Sequence, residues 1–472
     1  MKCSAQNCDS PRGFSLKCGS RDYQTDYLSQ QITKHTYTPG GKKASITRAY
    51  KTPYAATTHY SYTPSGKLKS KTLPDGSTLY YNYHPLGYLL QVKNSEETLC
   101  HNFYYNLLGE LTEAYDAHTG FGFQRKLDPF GNILEEKFST GLVITKYYDA
   151  LDRPLQLFLP KKGSLRYSYD PLHIKKIERL SNQEKVLYSH SFTNYDLAEN
   201  LLEEEPIYAL GKVHYTKDLA GRLTHVTSPL HTQEYTYDPT NNLLRYKSDT
   251  EEIHYCYDPH AQLTEERHQE TTLYYLHDSL HNRLQEKDRS LSYNPLNQLE
   301  ERNYDQNGQQ SDLLHEGKTF QLHYDPLGRL IKAESTDTTI EFFYDPLNRC
   351  LRKNVIKHNR LTDSEDYLYD QEEEIAAYSA SKLKNLRVLA HTEEQLPRAI
   401  ALEIDNKTYA PLHDSQRTIR ELIQLFPHKK IQIPTLSAFG VPLENPSLFI
   451  PWQYGSKRLH PELGCINTIR EK

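Results

Sequence analysis

Turn-forming residues recur at regular intervals throughout most of this chain of 472 residues, and this recurrence constrains the fold more than any other feature. HYDPLGRL at 323–330 is followed by FFYDPLNRC at 342–350, and related stretches begin near residue 37. Sixteen units can be aligned on the residue after the last strand aromatic, which we call the anchor, at positions 38, 63, 84, 106, 128, 149, 170, 196, 218, 238, 258, 278, 294, 325, 345 and 370. From 84 to 170 the steps are 22, 22, 21 and 21 residues, which indicates an internal repeat.

Each position of the unit has a physical role. Tyr precedes the anchor in thirteen units, and another aromatic lies two residues earlier in ten, so both rings share one face of a strand. Pro follows the anchor in ten units, and Gly or Asn lies third after it in ten, as a tight turn requires. Asn297 and Asn348 are two of these, and we expect a positive φ there. Leu or Ile, fifth after the anchor in eleven units, opens the returning strand.

The unit therefore reads strand, tight turn, strand and a looser link. Pro and Gly return too often for helices of ordinary length. Repeated hairpins predict an all-β fold, in which one long antiparallel sheet draws its stability from contacts between neighbouring units. Residues 417–426 leave a local choice between a short helix and a strand, because Ile419, Leu422, Ile423 and Phe426 have helical spacing.

Composition supports a Tyr-rich sheet. A mean hydropathy of -0.78 with 37% hydrophobic residues would ordinarily favour disorder, but 38 Tyr residues can build a core without raising that score. The net charge of -5 excludes a broadly basic nucleic-acid binder.

No apolar run is long enough for a transmembrane helix, and the polar N-terminus shows no secretory signal. Localisation therefore stays open, with export by a specialised system or an extracellular site as the alternatives. Seven scattered Cys residues without a C-x-x-C pair favour free thiols. The trio Cys3, Cys8 and Cys18 fits no common zinc spacing.

Candidate sites have plainer interpretations. A recurring Asp could suggest calcium ligands, but the following turn residues favour capping of the turn by the Asp side chain; the positions are Asp149, Asp170, Asp238, Asp258, Asp325 and Asp345. His413 and Asp414 could suggest an acid–base pair, but neighbours on a strand point to opposite faces. The acidic runs 203–205 and 372–374 are interpreted as solvated loops. We expect no catalytic, cofactor-binding or metal site and no cofactor.

The repeated Y-D-P-L-G-R-L unit resembles the YD repeat of Rhs proteins, of toxin-complex B and C components and of teneurins, over roughly residues 30–380. The tail is similar to the Rhs core: Leu412, His413 and Asp414 with 420–422 match one segment, AFG at 438–440 a second, and IPWQYGSKRLHPELGCIN at 450–467 a third. His460 replaces the usual Asp, and the chain ends before the family's next stretch.

This resemblance implies a spiralling sheet that forms a whole or partial hollow shell, closed at one end by the Rhs core. Tyr, Asn, Arg and Glu can line both faces of such a hollow sheet without a dense aliphatic core. It divides the chain into a polar lead-in at 1–30, a YD-repeat shell at 31–380 and an incomplete core-like segment at 381–472. In complete members the shell encloses a C-terminal toxin, which an aspartate-dependent self-cleavage releases. The cleavage motif would lie beyond Lys472, so no catalytic residue is carried over and the chain is expected to be truncated before the toxin.

The sequence thus favours a non-enzymatic shell protein that encapsulates, or derives from a protein that encapsulated, a toxin. Its expected partners are that toxin domain or a second YD-repeat chain, with no nucleic acid and no membrane span. One alternative is an extracellular recognition or adhesion protein that binds carbohydrate or a protein through its Tyr-rich sheet. The other is a self-cleaving core protease.

Overall fold

The computed structural model describes residues 15–16, 23–26, 32–207, 210–286, 289–390, 398–426, 429–431, 433–444 and 448–466. The chain divides into two compact units. Unit 1 combines Met1–Thr78 with Glu234–Gln310, and unit 2 combines Leu79–Gln233 with Ser311–Lys472.

Within these ranges the regular structure consists of β-strands, with no α-helix. The first strands are β1 Ser15–Leu16, β2 Tyr23–Asp26, β3 Ile32–Tyr37, β4 Lys43–Arg48, β5 Ala56–Tyr62, β6 Leu68–Thr72, β7 Thr78–Tyr83, β8 Leu89–Asn94, β9 Cys100–Tyr105, β10 Leu111–Asp116, β11 Gly122–Leu127, β12 Ile133–Phe138, β13 Val143–Tyr148 and β14 Pro154–Phe158. They are followed by β15 Ser164–Tyr169, β16 Ile174–Leu180, β17 Val186–Tyr195, β18 Leu201–Glu205, β19 Val213–Lys217, β20 Leu223–Thr227, β21 Thr232–Tyr237, β22 Leu243–Ser248, β23 Glu252–Tyr257, β24 Leu263–Arg267, β25 Thr272–His277, β26 Arg283–Glu286 and β27 Arg289–Ser290. The last are β28 Asp312–His315, β29 Lys318–Tyr324, β30 Leu330–Glu334, β31 Thr338–Tyr344, β32 Cys350–Lys357, β33 Arg360–Asp370, β34 Glu373–Ser379, β35 Lys382–Ala390, β36 Arg398–Ile404, β37 Lys407–His413, β38 Ile419–Gln424, β39 Lys429–Ile431, β40 Leu459–His460 and β41 Cys465–Ile466.

Strands that follow one another in the chain pair antiparallel, so the predicted all-β hairpin fold is confirmed. In unit 2, β7 to β20 form a first sheet and β28 to β39 a second. The pairing register shifts by one residue just before the repeat turns, for example between Phe343 and Tyr344. This bulge re-aims the chain into the turn.

The strands of each sheet alternate in direction, so the anchor turns lie at one end of the strands and the looser links lie at the other end. We call the end that carries the anchor turns, such as 128–132, the turn edge, and the opposite end, such as the link 138–142, the link edge. In fourteen of the sixteen units the backbone has positive φ at the third position after the anchor, which confirms the expectation for Asn297 (61°) and Asn348 (66°). Ala261 adopts the same conformation (60°) although its Cβ disfavours it.

Unit 2 contains a denser core than the sequence indicated. In β34, five consecutive residues from Glu374 to Tyr378 are buried, and such a run means that both faces of the strand are covered. Phe138, Ile144 and Leu386 are also almost inaccessible to solvent. The expectation of faces without a dense aliphatic core is therefore wrong for the second sheet. Its aliphatic residues fall outside the Tyr-based repeat unit that carries the resemblance.

The segment 417–426, for which helix and strand were both open, contains strand β38. The pairing of β38 with β37 places Leu422 opposite Pro411 and Ile423 opposite Ala410. Burial of successive residues on both faces explains why the apolar spacing resembled a helix.

Candidate functional site

The anchor Asp closes its own turn and also binds the residue four positions later. Asp149 Oδ1 accepts hydrogen bonds from the backbone N–H groups of Leu151 and Arg153, each at 2.9 Å, and Oδ2 accepts from Arg153 Nε at 2.7 Å. Arg153 Nη1 then donates to the carbonyl of Asp170 in the next turn, at 2.9 Å. The side chain thus caps one turn while its Arg partner ties neighbouring turns together.

The same arrangement recurs in both sheets of unit 2. Arg329 binds Asp325 at 2.6 Å and the Asp345 carbonyl at 2.9 Å, and Arg349 binds Asp345 at 2.7 Å and the Gln371 carbonyl at 3.0 Å. Asp-turn capping, predicted from the sequence, is therefore present. The Arg at the fourth position is a feature that the sequence interpretation missed, although Arg recurs there in the motif.

The Tyr before each anchor forms a second repeated contact. Its hydroxyl donates to a backbone carbonyl at the opening of the returning strand in the preceding unit. Tyr105 bonds the Leu89 carbonyl at 2.9 Å, and Tyr169 bonds the Pro154 carbonyl at 2.9 Å. The series continues with Tyr62, Tyr148, Tyr195, Tyr257, Tyr293 and Tyr344. These hydroxyl contacts tie each unit to the one before it, and burial raises the pKa of Tyr169 to about 12.

A series of polar contacts joins the turn edge of the second sheet to the link edge of the first. The central contact is from Arg349 Nη2 to Glu136 Oε1, at 3.0 Å, with both side chains buried. The Arg349 guanidinium also lies over the Phe123 and Phe138 rings, with distances to the ring centroids of 4.7 and 5.0 Å. A buried Arg that contacts two aromatic rings and two carboxylates fixes the positions of these groups relative to one another.

The other contacts in this series follow the same chain order in both sheets. We call them the edge contacts: Arg329 with His101, Arg349 with Glu136, Asp370 with Lys146, Arg398 with Glu204, and the carbonyl of His413 with Gln233. Since both lists ascend along the chain, the edges meet over several hairpins. The edge contacts are not visible in the sequence, because each joins residues more than 175 positions apart.

The first acidic run takes part in one of these contacts, so its interpretation as a solvated loop is wrong. Glu204 lies in β18 and is 3% exposed. It accepts hydrogen bonds from Arg398, from Tyr215 Oη at 2.6 Å and from His190 Nε2 at 3.1 Å. Burial alone would raise the pKa of Glu204, but the charge of Arg398 outweighs it and holds that pKa well below its usual range.

The second acidic run is a solvated loop only at Glu372, which is exposed in a turn, whereas Glu373 and Glu374 lie in strand β34, where the loop interpretation is wrong. Glu374 is buried in β34, and its Oε1 accepts from Arg458 Nε at 2.6 Å. Glu373 pairs with Arg387 at 3.0 Å. In both runs the carboxylates meet Arg residues that are distant in the chain, and a charge run in the sequence does not show this pairing.

The Rhs-core-like segment docks onto the second sheet through Trp452. Its ring is buried between two guanidinium groups, with Arg387 5.2 Å and Arg458 4.7 Å from the ring centroid. Arg387 Nη1 also donates to the carbonyl of Ser456 at 2.8 Å. Lys353 Nζ reaches Glu462 Oε1 at 2.9 Å. Residues 450–466 are thus held by buried charge as well as by apolar packing.

The remaining predicted candidates do not assemble into a reactive centre. Asp414 is engaged by the N–H groups of Gln416 and Thr418, both at 2.9 Å, and by Arg420 Nε at 2.8 Å. Burial, helped by the charge of Arg398, lowers the pKa of His413 to about 3, so its ring is neutral at pH 7. His460 lies edge-on to Phe342, and burial lowers its pKa to about 3 as well.

Cys100, Cys256 and Cys350 are free thiols, as predicted, whereas Cys3, Cys8 and Cys18 lie outside the described residues. Across the part of the chain that the structure describes, no three His, Cys, Asp or Glu side chains are grouped to hold a metal ion. The same residues include no helix that is long and apolar enough to cross a membrane.

Comparison with known proteins identifies the repeat. Residues 161–391 match the family model of the teneurin YD-shell. This part of the chain is a YD-shell. The predicted recognition of the Rhs and YD-repeat family is thereby confirmed, and the hairpins described above are YD repeats.

Solved structures of YD-shell proteins share the fold. The crystal structure of TcdB2-TccC3 without its hypervariable C-terminal region matches 94% of this chain with a TM-score of 0.69 at 14% identity. The Tc holotoxin pore of Photorhabdus luminescens with a mutated TccC3 matches 94% with a TM-score of 0.54 at 12% identity. The chain spans only 29% and 28% of those chains. Curated proteins gave no match.

Proposed function

We propose that this YD-repeat chain is a non-enzymatic building element of a β-shell that encloses a toxic polypeptide. The edge contacts are the observation that carries this proposal. They bury charged groups between the turn edge of one sheet and the link edge of another, as in Arg349 with Glu136. Such junctions join hairpin sheets side by side into a continuous surface, which is what the wall of a container needs.

A variable C-terminal polypeptide is the proposed cargo. The matched TcdB2-TccC3 structure is described as lacking a hypervariable C-terminal region, so that complex has such a region. For this chain we propose a shell at 31–380 that follows a lead-in at 1–30, and an end wall formed by 381–472. The buried docking of Trp452 between Arg387 and Arg458 supports that role for the last segment.

A second YD-repeat chain is the proposed partner. The chain corresponds to less than a third of the length of the matched toxin-complex chains, and that complex contains two named components. We propose that the second chain supplies the additional β-sheet by which those longer chains exceed this one.

Protease protection in the native assembly tests the proposal. The tagged chain would be isolated under mild conditions from cells that produce it, treated with proteinase K, and its protected polypeptides identified by mass spectrometry. We expect a non-repeat polypeptide that resists digestion until the assembly is opened with urea. If every non-repeat polypeptide is digested at its free rate while the YD sheets stay intact, the proposal is wrong.

The two alternatives make different predictions. A recognition protein would bind glycans and lose that binding when exposed Tyr residues such as Tyr104 and Tyr147 are replaced. A self-cleaving protease would yield a shortened product, whereas the shell element keeps its intact mass of 55.0 kDa. A glycan array and intact-mass measurement of the same purified sample separate all three functions.

A further inference from the structure

The turn edge of the first sheet carries a row of exposed apolar side chains. They occupy the second position after the anchor in five consecutive turns and form what we call the apolar rim: Leu86, Leu108, Phe130, Leu151 and Leu172. Phe130 is 82% exposed and the least exposed of the five, Leu151, is 64% exposed. Single exposed leucines are ordinary, but a continuous row marks an interaction surface.

Strand geometry places these side chains next to each other. Consecutive turns lie two strands apart in an antiparallel sheet, so neighbouring rim residues are about 10 Å apart and the row extends over roughly 40 Å. In each of these turns the anchor side chain accepts a hydrogen bond from the backbone N–H of the rim residue, at 2.8 to 3.2 Å, which fixes the backbone beneath the rim. The rim is therefore a linear, ordered surface.

The second sheet shows what covers the equivalent positions. Leu327 and Leu347 occupy the same place in the turns that follow β29 and β31. Leu327 packs against the hydrophobic core, and Leu347 is only 39% exposed. Both turns belong to the turn edge that meets the link edge of the first sheet through the edge contacts. A covered turn edge thus has a link edge as its neighbour.

The chemistry of that junction is specific. Behind the Asp345 turn, Phe343 stacks on Phe121 of the first sheet, with ring centroids 4.7 Å apart. Arg349 is enclosed by Phe123, Phe138 and Glu136. A link edge therefore offers aromatic side chains to the strand end beside a turn and to the Arg of the turn, and a carboxylate to that Arg.

Unit 1 shows the same type of junction independently. The structure forms a further turn of this kind at Asp305, between anchors 294 and 325. In it Asn307 donates from Nδ2 to Asp75 Oδ2 at 2.7 Å, and the Asp75 N–H donates to Asn307 Oδ1 at 3.2 Å. Asp75 lies in the link between β6 and β7. In both units, then, a turn edge from later in the chain lies against a link edge from earlier in the chain.

We propose that the apolar rim is a docking surface for the link edge of a separate YD-repeat polypeptide. The proposal rests on the proposed shell function and names the surface through which the partner attaches. The partner supplies aromatic residues against Leu108, Phe130 and Leu151, and a carboxylate near Arg153. It thereby repeats between chains the junction that Arg349 forms within this one.

Site-specific photo-crosslinking tests this assignment. A benzoylphenylalanine placed at position 130 of the full chain, in cells that produce it, reports the nearest neighbour of the rim. The control carries the same group at Tyr147, which is 55% exposed on a strand rather than in a turn. We expect position 130 to crosslink at least tenfold more than the control, and the crosslinked peptide to lie in a link between hairpins of a YD-repeat protein.

A crosslink to an unrelated protein, to a turn or strand face of a YD-repeat protein, or at the control level would overturn the assignment. The partner identified in this way is then purified for a binding measurement with the triple variant Leu108→Gln, Phe130→Gln and Leu151→Gln. We expect unchanged thermal unfolding, because these side chains are exposed, and at least a tenfold weaker complex. Unchanged affinity would contradict the assignment. Protease protection of the cargo is measured separately. Failure of the docking assignment can therefore be distinguished from failure of the proposed shell function.

Discussion

The guanidinium of Arg349 lies 3.0 Å from the carboxylate of Glu136, although 213 residues separate them in the chain. The same guanidinium binds Asp345 within its own turn. One buried Arg therefore completes a repeat turn and also joins two sheets. This double role explains how a local motif can determine the packing of hairpins that are distant in sequence.

Replacement of Arg349 by Met should lower the free energy of unfolding by about 3 kcal/mol or more, because Glu136 and Asp345 would lose a buried cationic partner. Urea denaturation followed by circular dichroism measures this loss. The matched control is Arg153→Met, which removes the same turn Arg from a more exposed position and should cost clearly less. Equal losses for the two variants would refute a special role for the edge contact.

Tyr169→Phe removes the hydroxyl that bonds the Pro154 carbonyl, and it should destabilise the protein by about 1 kcal/mol. Tyr147→Phe, on an exposed ring, is the control and should have little effect. In the folded protein the pKa of Tyr169 is raised to about 12, so this residue favours folding below pH 10, and that contribution is lost as the pH rises to 12. Ultraviolet titration of wild type and Tyr169→Phe measures the shift.

Acid should destabilise the protein through buried neutral histidines. Burial lowers the pKa of His413 and His460 to about 3 and that of His101 to about 4, below the value of 6.5 for an exposed His. The unfolded chain therefore binds more protons below pH 6.5, and stability falls from there toward pH 4. Each histidine contributes about 1.4 kcal/mol per pH unit in this window.

His460→Leu isolates one of these contributions. Lys353, Arg458 and Glu365 are the charged groups around this ring, and the two cations help to keep it neutral. We expect the variant to lose stability less steeply between pH 6 and 4 than wild type, in urea denaturation at each pH. If the free energy of unfolding of wild type and variant fell with the same slope between pH 6 and 4, His460 would take up its proton in the folded state.

Trp452 is the single Trp of the chain and reports directly on the docking of the Rhs-core-like segment. Its fluorescence and the circular dichroism of the strands should change at the same urea concentration, because its ring packs between Arg387 and Arg458 of one cooperative core. Trp452→Ala should cost about 3–5 kcal/mol, against less than about 0.5 kcal/mol for the exposed Phe130→Ala. An earlier fluorescence transition would mean that the segment detaches independently.

The fold could be predicted because its determinants are local. Tyr at alternate positions, the anchor Asp and the residue with positive φ all lie within a single hairpin, and the structure reproduces them at Asp149 and Asn348. The choice between helix and strand at Ile419–Gln424 could not be made, because burial on both faces gives a strand an apolar pattern that imitates a helix.

The candidate site could not be predicted because its determinants are not local. Glu204 and Glu374 appeared to be solvated charges, since nothing nearby in the sequence shows that Arg398 and Arg458 fold against them. The apolar rim was concealed for the opposite reason. An apolar residue recurs at the second position after the anchor as part of the motif. Only the structure shows that Phe130 is exposed at this position whereas Leu347 is half-covered.

Cryo-electron microscopy of the native assembly tests the central claim most directly. The account predicts a closed β-walled particle with polypeptide density inside, in which the link edge of a second YD-repeat chain lies against Leu86, Leu108, Phe130, Leu151 and Leu172. A particle in which this chain stands alone, with the apolar rim in solvent and no enclosed density, would contradict it.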